Sequence, residues 1–283
     1  MNSYQTENLG ALIADFNNDG LKDIYMATGG NNKFLEPEVF QDRLYFQNKN
    51  GDFDLARNQP PITTSTSAVT AADFDNDGDL DLFVGTRIKP NTYPLSDRSY
   101  ILRNDNGTFV DITEKVAPFL MNSGMITTAL WTDFDNDQKL DLLVTGEWME
   151  INFLHNIGSK FENRTASSGI QNLTGFWNSL QGMDVDRDGD MDYLAGNMGQ
   201  NVSFDVTPNE PLTMMAKDFD DNGQIDPLIG YYLDGKTVLG SWWPHWQKWI
   251  EAQDDSRVPA RKIGGGKLRP IEDAPGSYVK IKA

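Results

Sequence analysis

The sequence predicts an all-β fold assembled from repeated four-stranded antiparallel sheets, and three observations carry that reading. An acidic nonapeptide occurs five times, each copy runs into a short apolar stretch, and the first three copies are each followed by a strand–turn–strand pattern. Strand, acidic loop, strand and hairpin in about 50–60 residues make the blade of a β-propeller.

The nonapeptides are DFNNDGLKD (15–23), DFDNDGDLD (73–81), DFDNDQKLD (133–141), DVDRDGDMD (184–192) and DFDDNGQID (218–226), here loops 1 to 5. Their starts lie 58, 60, 51 and 34 residues apart. The stretches that follow, IYMATGG, LFVGT, LLVTG, YLAGN and PLIG, have the length and apolarity of strands buried on both faces. LYFQNKNGDF (44–53), YILRNDNGTF (100–109) and NFLHNIGSKF (152–161) read as hairpins around Asn/Gly turns. The interval from 184 to 218 is too short for a hairpin, so a trimmed fourth unit is expected. No amphipathic helix is expected before residue 240.

Within each loop, oxygen-bearing side chains fall at positions 1, 3, 5 and 9, and glycine falls at position 6 in four of five copies. Side chains at 1, 3 and 5 converge only if the backbone curls around a common centre, and glycine eases that turn. The position 7 carbonyl adds a further oxygen. The candidate ligands are Asp15, Asn17, Asp19, Leu21 and Asp23 in loop 1, and Asp73, Asp75, Asp77, Asp79 and Asp81 in loop 2. Loop 3 offers Asp133, Asp135, Asp137, Lys139 and Asp141; loop 4 offers Asp184, Asp186, Asp188, Asp190 and Asp192; loop 5 offers Asp218, Asp220, Asn222, Gln224 and Asp226. An all-oxygen set in a flexible loop suits Ca²⁺, whereas Mg²⁺ retains water in a tighter octahedron and zinc wants His or Cys. Up to five Ca²⁺ are therefore expected.

Surface turns are the plain alternative, since Asp, Asn and Gly dominate turns. Five copies in one register favour calcium. An EF-hand would place a bidentate carboxylate at position 12 and helices on either side. Position 12 is Met26, Val84, Val144, Ala195 and Ile229, each inside a predicted strand. Loops 2 and 4 carry full carboxylate sets and are expected to bind tightest. Loop 3, with Gln138 at the glycine position and Lys139 beside it, is expected to bind weakest.

Composition narrows the function classes. The 283 residues carry a formal charge of −18, and the loops hold 21 of the 42 acidic residues. Such a body repels nucleic acid and anionic membranes and attracts cations. There is no cysteine, hence no disulfide, thiolate metal site or cysteine nucleophile. No apolar run reaches the length of a membrane-spanning helix, and MNSYQTENLG does not read as a secretory leader.

The repeated DFDNDGDLDLFVG with NDNGTF-type hairpins resembles the FG-GAP or VCBS repeat, which forms the calcium-binding blades of integrin α-subunit propellers. The run from DRLYFQN through RNDNGTFVDITE, WTDFDNDQKLDLLVTGEW and FWNSL to AGNMGQN is similar to large bacterial, especially Bacteroidetes, VCBS-repeat proteins that carry an ASPIC/UnbV domain, relatives of cartilage acidic protein. The resemblance covers about residues 8–238. It implies a propeller, typically of seven blades, with positions 1, 3, 5, 7 and 9 as calcium ligands. It also implies an extracellular, cell-surface or outer-membrane-associated parent protein that binds a protein or glycan. With five loops, the chain is expected to form about five blades or part of a seven-bladed ring. Residues 1–238 are read as the repeat domain and 239–283 as a Trp-rich segment and basic tail.

Three further motifs bear on function. GYYLDGKT (230–237) satisfies the P-loop expression, but its surroundings read as two strands around an Asp-Gly turn. His155 is expected at an exposed blade position shared with Gln47 and Arg103 rather than as a general base. Ser241–Ile250 holds four of the seven tryptophans, and Pro244 would start a short helix there. No nucleophile–base arrangement stands out, so a non-enzymatic binding scaffold is expected. A propeller-fold polysaccharide lyase or hydrolase is the alternative.

Overall fold

The computed structural model describes residues 7–31, 36–57, 59–202, 204, 206–207, 209–233 and 236–239. The chain divides after Leu239, and the second unit, Gly240–Ala283, lies outside the described residues. The Trp-rich segment and the basic tail fall there.

The described part is all-β. The first sheet runs β1 (Glu7–Ala14), β2 (Asp23–Gly29), β3 (Arg43–Gln47) and β4 (Phe53–Leu55) in that order. The second repeats the plan with β5 (Ser65–Ala72), β6 (Asp81–Ile88), β7 (Tyr100–Asp105) and β8 (Thr108–Asp111). The third does so with β9 (Met125–Thr132), β10 (Asp141–Met149), β11 (Asn152–Asn156) and β12 (Phe161–Asn163). All neighbours are antiparallel, as short hairpin connections demand. The three predicted hairpins form as β3–β4, β7–β8 and β11–β12.

The fourth unit keeps two strands, β13 (Gly175–Met183) and β14 (Asp192–Asn197), and β13 also pairs with the end of β10. The fifth is a three-stranded sheet of β15 (Thr213–Lys217), β16 (Asp226–Leu233) and β17 (Lys236–Leu239). The P-loop look-alike therefore lies across the antiparallel pair β16–β17, with Leu233 opposite Lys236. A phosphate-binding loop would need to open a helix instead.

Each acidic loop joins the first two strands of its unit in one register. The residue before position 1 pairs with the position 9 aspartate in all five: Ala14 with Asp23, Ala72 with Asp81, Thr132 with Asp141, Met183 with Asp192 and Lys217 with Asp226. Position 12 falls inside β2, β6, β10, β14 and β16, and strands flank every loop.

The core lies between successive sheets. Phe16, Tyr25, Leu44, Leu82, Val84 and Phe109 fill the first interface. Phe74, Phe83, Ile101, Leu120, Leu142, Leu154 and Phe161 belong to the second. Position 2 of a loop reaches into the next sheet: Phe16 meets Phe109 edge-on at 5.8 Å, and Phe74 meets Phe161 at 5.5 Å. Burying such a ring stabilises by about 1.5–3 kcal/mol.

β6 and β10 are buried almost throughout, as their apolar runs predict. β14 departs from that expectation: Leu194 is 71% exposed, and Val185 on loop 4 is 67% exposed. An apolar strand is buried on both faces only when neighbouring sheets cover it, and the fourth unit has no hairpin strands among the described residues.

Candidate metal centres

Three sets of hydrogen bonds curl each loop, and side chains make them all. The position 1 aspartate accepts the amide of position 6 in every loop: Gly20 to Asp15 (2.8 Å), Gly78 to Asp73 (3.0 Å), Gln138 to Asp133 (2.8 Å), Gly189 to Asp184 (3.2 Å) and Gly223 to Asp218 (2.7 Å). The position 5 side chain accepts the amide of position 7, through Asp19, Asp77, Asp137, Asp188 and Asn222. The position 9 aspartate closes the loop by accepting the amide of position 2, from Phe16, Phe74, Phe134, Val185 and Phe219.

This curl brings carboxylates together. Asp73, Asp75 and Asp81, then Asp133, Asp135 and Asp141, then Asp184, Asp186 and Asp192, then Asp218, Asp220 and Asp226 each offer oxygens within 4.8 Å of one another. These are positions 1, 3 and 9 of loops 2 to 5. A further group, Asp135, Asp137 and His155, overlaps loop 3. Among the described residues no such carboxylate trio forms in loop 1, where Asn17 holds position 3.

Position 7 side chains turn elsewhere. Asp79 accepts from Asn18 Nδ2 (2.5 Å) and the Asn106 amide (2.8 Å), and Asp190 accepts from Asn136 Nδ2 (2.5 Å). Lys139 Nζ lies 2.6 Å from Asp137 Oδ2.

The electrostatics favour a cation. Burial, reinforced by Asp75 and Asp77, lifts the Asp81 carboxyl to about 7 against the hydrogen bonds from Asn104 and Phe74. Burial likewise raises Asp23, Asp75 and Asp141. Asp137 moves the other way because its hydrogen bond with Lys139 holds it low. A divalent ion held by loop 2, 4 or 5 would relieve the repulsion among their carboxylates, whereas loop 3 supplies part of the positive charge from its own lysine.

His155 sits differently from its sequence reading. It is 5% exposed, with Nδ1 3.1 Å from Asp135 Oδ2 and 3.2 Å from Asp141 Oδ1. The register also revises which hairpin positions correspond. Ile24 pairs with Tyr45, Leu82 with Leu102 and Leu142 with Leu154, so Arg103 and His155 correspond to Phe46, not Gln47. Gln47 corresponds to Asn104 and Asn156, and all three donate a backbone amide to the position 9 aspartate (2.9, 2.8 and 2.7 Å). One extra residue in the first hairpin hides this in the sequence.

Position 4 was not singled out from the sequence, yet it is left-handed in every loop: Asn18 (φ 56°), Asn76 (59°), Asn136 (57°), Arg187 (67°) and Asp221 (56°). The signal was present, because Asn and Asp tolerate that region better than other side chains. Gln138 at position 6 is also left-handed (φ 69°) where the other loops use glycine.

The FG-GAP-like repeat family matches residues 15–84 and 133–195, two stretches that contain loops 1 and 2 and loops 3 and 4. Among curated proteins, the poly(3-hydroxyalkanoate) polymerase subunit PhaC of Rhizobium meliloti (strain 1021) is 54% identical over 61 residues, 22% of this chain and 9% of that protein. The poly(3-hydroxyalkanoate) polymerase of Methylorubrum extorquens is 57% identical over 99 residues, 34% of this chain and 15% of that protein. The chain thus spans a small fraction of the curated relatives it matches. Among solved structures, the V. cholerae biofilm matrix protein Bap1 aligns over 80% of this chain and 35% of its own, with 15% identity and a TM-score of 0.34.

Proposed function

We propose that the repeat domain is a calcium-stabilised, non-enzymatic scaffold that binds a protein or glycan ligand outside the cell or at its surface. One observation carries the calcium reading: five separate loops repeat the same side-chain-to-amide bonds, and four of them gather position 1, 3 and 9 carboxylates within 4.8 Å. Such a loop is costly to hold without positive charge at its centre, and all-oxygen donors suit Ca²⁺.

Calcium here is structural. Each loop precedes a second strand, and loops 1 and 2 send Phe16 and Phe74 into the next sheet, so an ion there ties loop, strand and neighbour together. At free calcium about 10–100 times the dissociation constant, each site stabilises by roughly 1.4–2.7 kcal/mol. The sheets are the blades of a propeller, about five in this chain or part of a seven-bladed ring in a longer protein of the VCBS and ASPIC/UnbV type. The acidic body disfavours nucleic acid as a partner. No helix among the described residues is long and apolar enough to cross a membrane. The segments shared with the polymerases are too small a part of those proteins to bring their activity to this chain.

Thermal melting with calcium and with chelator tests the metal, and incubation with glycans separates binding from cleavage. A melt unmoved by chelator refutes calcium as the stabiliser. Glycan cleavage replaces the scaffold with the lyase or hydrolase reading.

A further inference from the structure

We propose that the strand ends opposite the acidic loops carry a second, metal-independent site, built on Glu147, Arg87, Tyr93 and Trp148, that takes a neutral sugar residue. The proposal rests on the reading of the domain as a ligand-binding scaffold and names the surface and the chemistry of the ligand. β6 and β10 both start at an acidic loop, so Arg87 and Glu147 lie about 20 Å from the carboxylates, six residues along each strand.

The site is held in place by two irregularities of β10. Register shifts fall between Thr145 and Gly146 against β9 and between Glu147 and Met149 against β13. Trp148 is the residue at the second shift, and its φ of 58° is a conformation bulky side chains rarely adopt. Bulges of this kind re-aim side chains next to functional sites. Here they bring Trp148 Nε1 to 3.4 Å from the Tyr93 hydroxyl and the Trp148 ring edge-on to Phe176 at 5.9 Å.

Glu147 is the second, independent sign. It is 4% exposed, its Oε1 bonds Arg87 Nε at 2.6 Å, and its Oε2 is buried with no hydrogen-bond partner among the described residues. A buried charged oxygen is normally satisfied, so an unpaired one points to a donor brought by something else. Arg87 is partly exposed and its guanidinium lies 6.0 Å from the Tyr93 ring centroid, so a solvent-reached side chain links the buried carboxylate to the aromatic surface.

The charge balance chooses the ligand class. Glu147 and Arg87 neutralise each other, which disfavours a free cation or anion. A carboxylate that accepts and a guanidinium that donates match adjacent sugar hydroxyls, and the Tyr93 and Trp148 rings suit the apolar face of a pyranose.

The test uses the full chain in saturating calcium on an array of neutral oligosaccharides, followed by tryptophan-fluorescence titration with the strongest binder. Polygalacturonate and chitosan oligomers serve as charged comparators. A neutral oligosaccharide should bind and change the fluorescence, and Glu147→Gln and Tyr93→Ala should each weaken it by about tenfold, the loss of one charge-assisted contact. Tyr93→Ala, at a partly exposed ring, keeps the test decisive should Glu147→Gln fail to fold. Absence of neutral-sugar binding, preference for a charged comparator, or unchanged affinity in Tyr93→Ala overturns the site. If sugar binding fails while the melt stays chelator-sensitive, this site falls and the calcium reading stands. The opposite pair of results sinks calcium and leaves the sugar site.

Discussion

Asn156, at the end of β11, donates from Nδ2 to the carbonyl oxygen of Phe74 on loop 2 at 3.0 Å, across 82 residues of chain. The same bond recurs one sheet earlier, from Asn104 to Phe16 at 2.8 Å. Both asparagines are buried, and each also donates to the position 8 carbonyl of its own loop and accepts a turn glycine amide. Phe16 and Phe74 sit between the position 1 and position 3 candidate ligands. The hairpin of one sheet therefore holds the acidic loop of the sheet before it.

Replacing Asn156 by alanine should remove three hydrogen bonds and leave two carbonyls and an amide unpaired. A loss of about 2–4 kcal/mol is expected in urea unfolding. Asn156→Ala should also weaken calcium binding at loop 2 as well as loop 3, whereas a change confined to loop 3 would deny the latch.

Calcium removal should lower the melting temperature, and the loops should not contribute equally. Single position 1 substitutions, Asp73→Asn in loop 2, Asp133→Asn in loop 3 and Asp184→Asn in loop 4, followed by terbium luminescence, should show loops 2 and 4 filling first and loop 3 last. The Lys139–Asp137 pair at 2.6 Å is the structural reason for loop 3's place.

Gly146→Ala should be strongly destabilising, by at least about 2 kcal/mol. A Cβ there would lie 1.9 Å from the carbonyl oxygen of Met125, a backbone atom that cannot swing away. Gln138→Gly should do the opposite, raising stability by about 0.5–1 kcal/mol by relieving a left-handed side-chain position. Chemical denaturation of both variants reads the two signs.

Asp42 should make the fold more stable as pH falls from about 7 to 4. Burial lifts its carboxyl from 3.8 to about 7, despite hydrogen bonds from the Thr28 amide, the Thr66 hydroxyl and the Tyr25 hydroxyl. A folded-state value above the unfolded one means the native protein binds the proton more tightly. The cost of the charged form is then absent below about pH 4 and fully present above about pH 7. The slope is at most about 1.4 kcal/mol per pH unit. Urea unfolding in saturating calcium should show this slope between pH 5 and 7 in the wild type and not in Asp42→Asn.

The loops, their register and the strands that flank them were legible because they rest on short-range constraints. A turn closed by the side chain of position 1, 5 or 9 on an amide at most seven residues away is spelled out in nine letters, and the hairpins Gln47–Phe53, Asn104–Phe109 and Asn156–Phe161 are nearly as local. Position 12 in a strand followed from the same letters. What the tertiary structure decided involves partners well outside a nine-residue loop, where packing chooses among locally equal options. His155 is buried against Asp135 and Asp141, whereas Arg103 at the equivalent place in the second hairpin is exposed, so contacts across the folded sheet and not the hairpin pattern set its burial. Leu194 lies at the same place in its strand as the buried Leu143 and stays exposed, since no hairpin strands cover it among the described residues. Glu147 and Arg87, 60 residues apart, meet because equivalent strands of adjacent sheets end side by side.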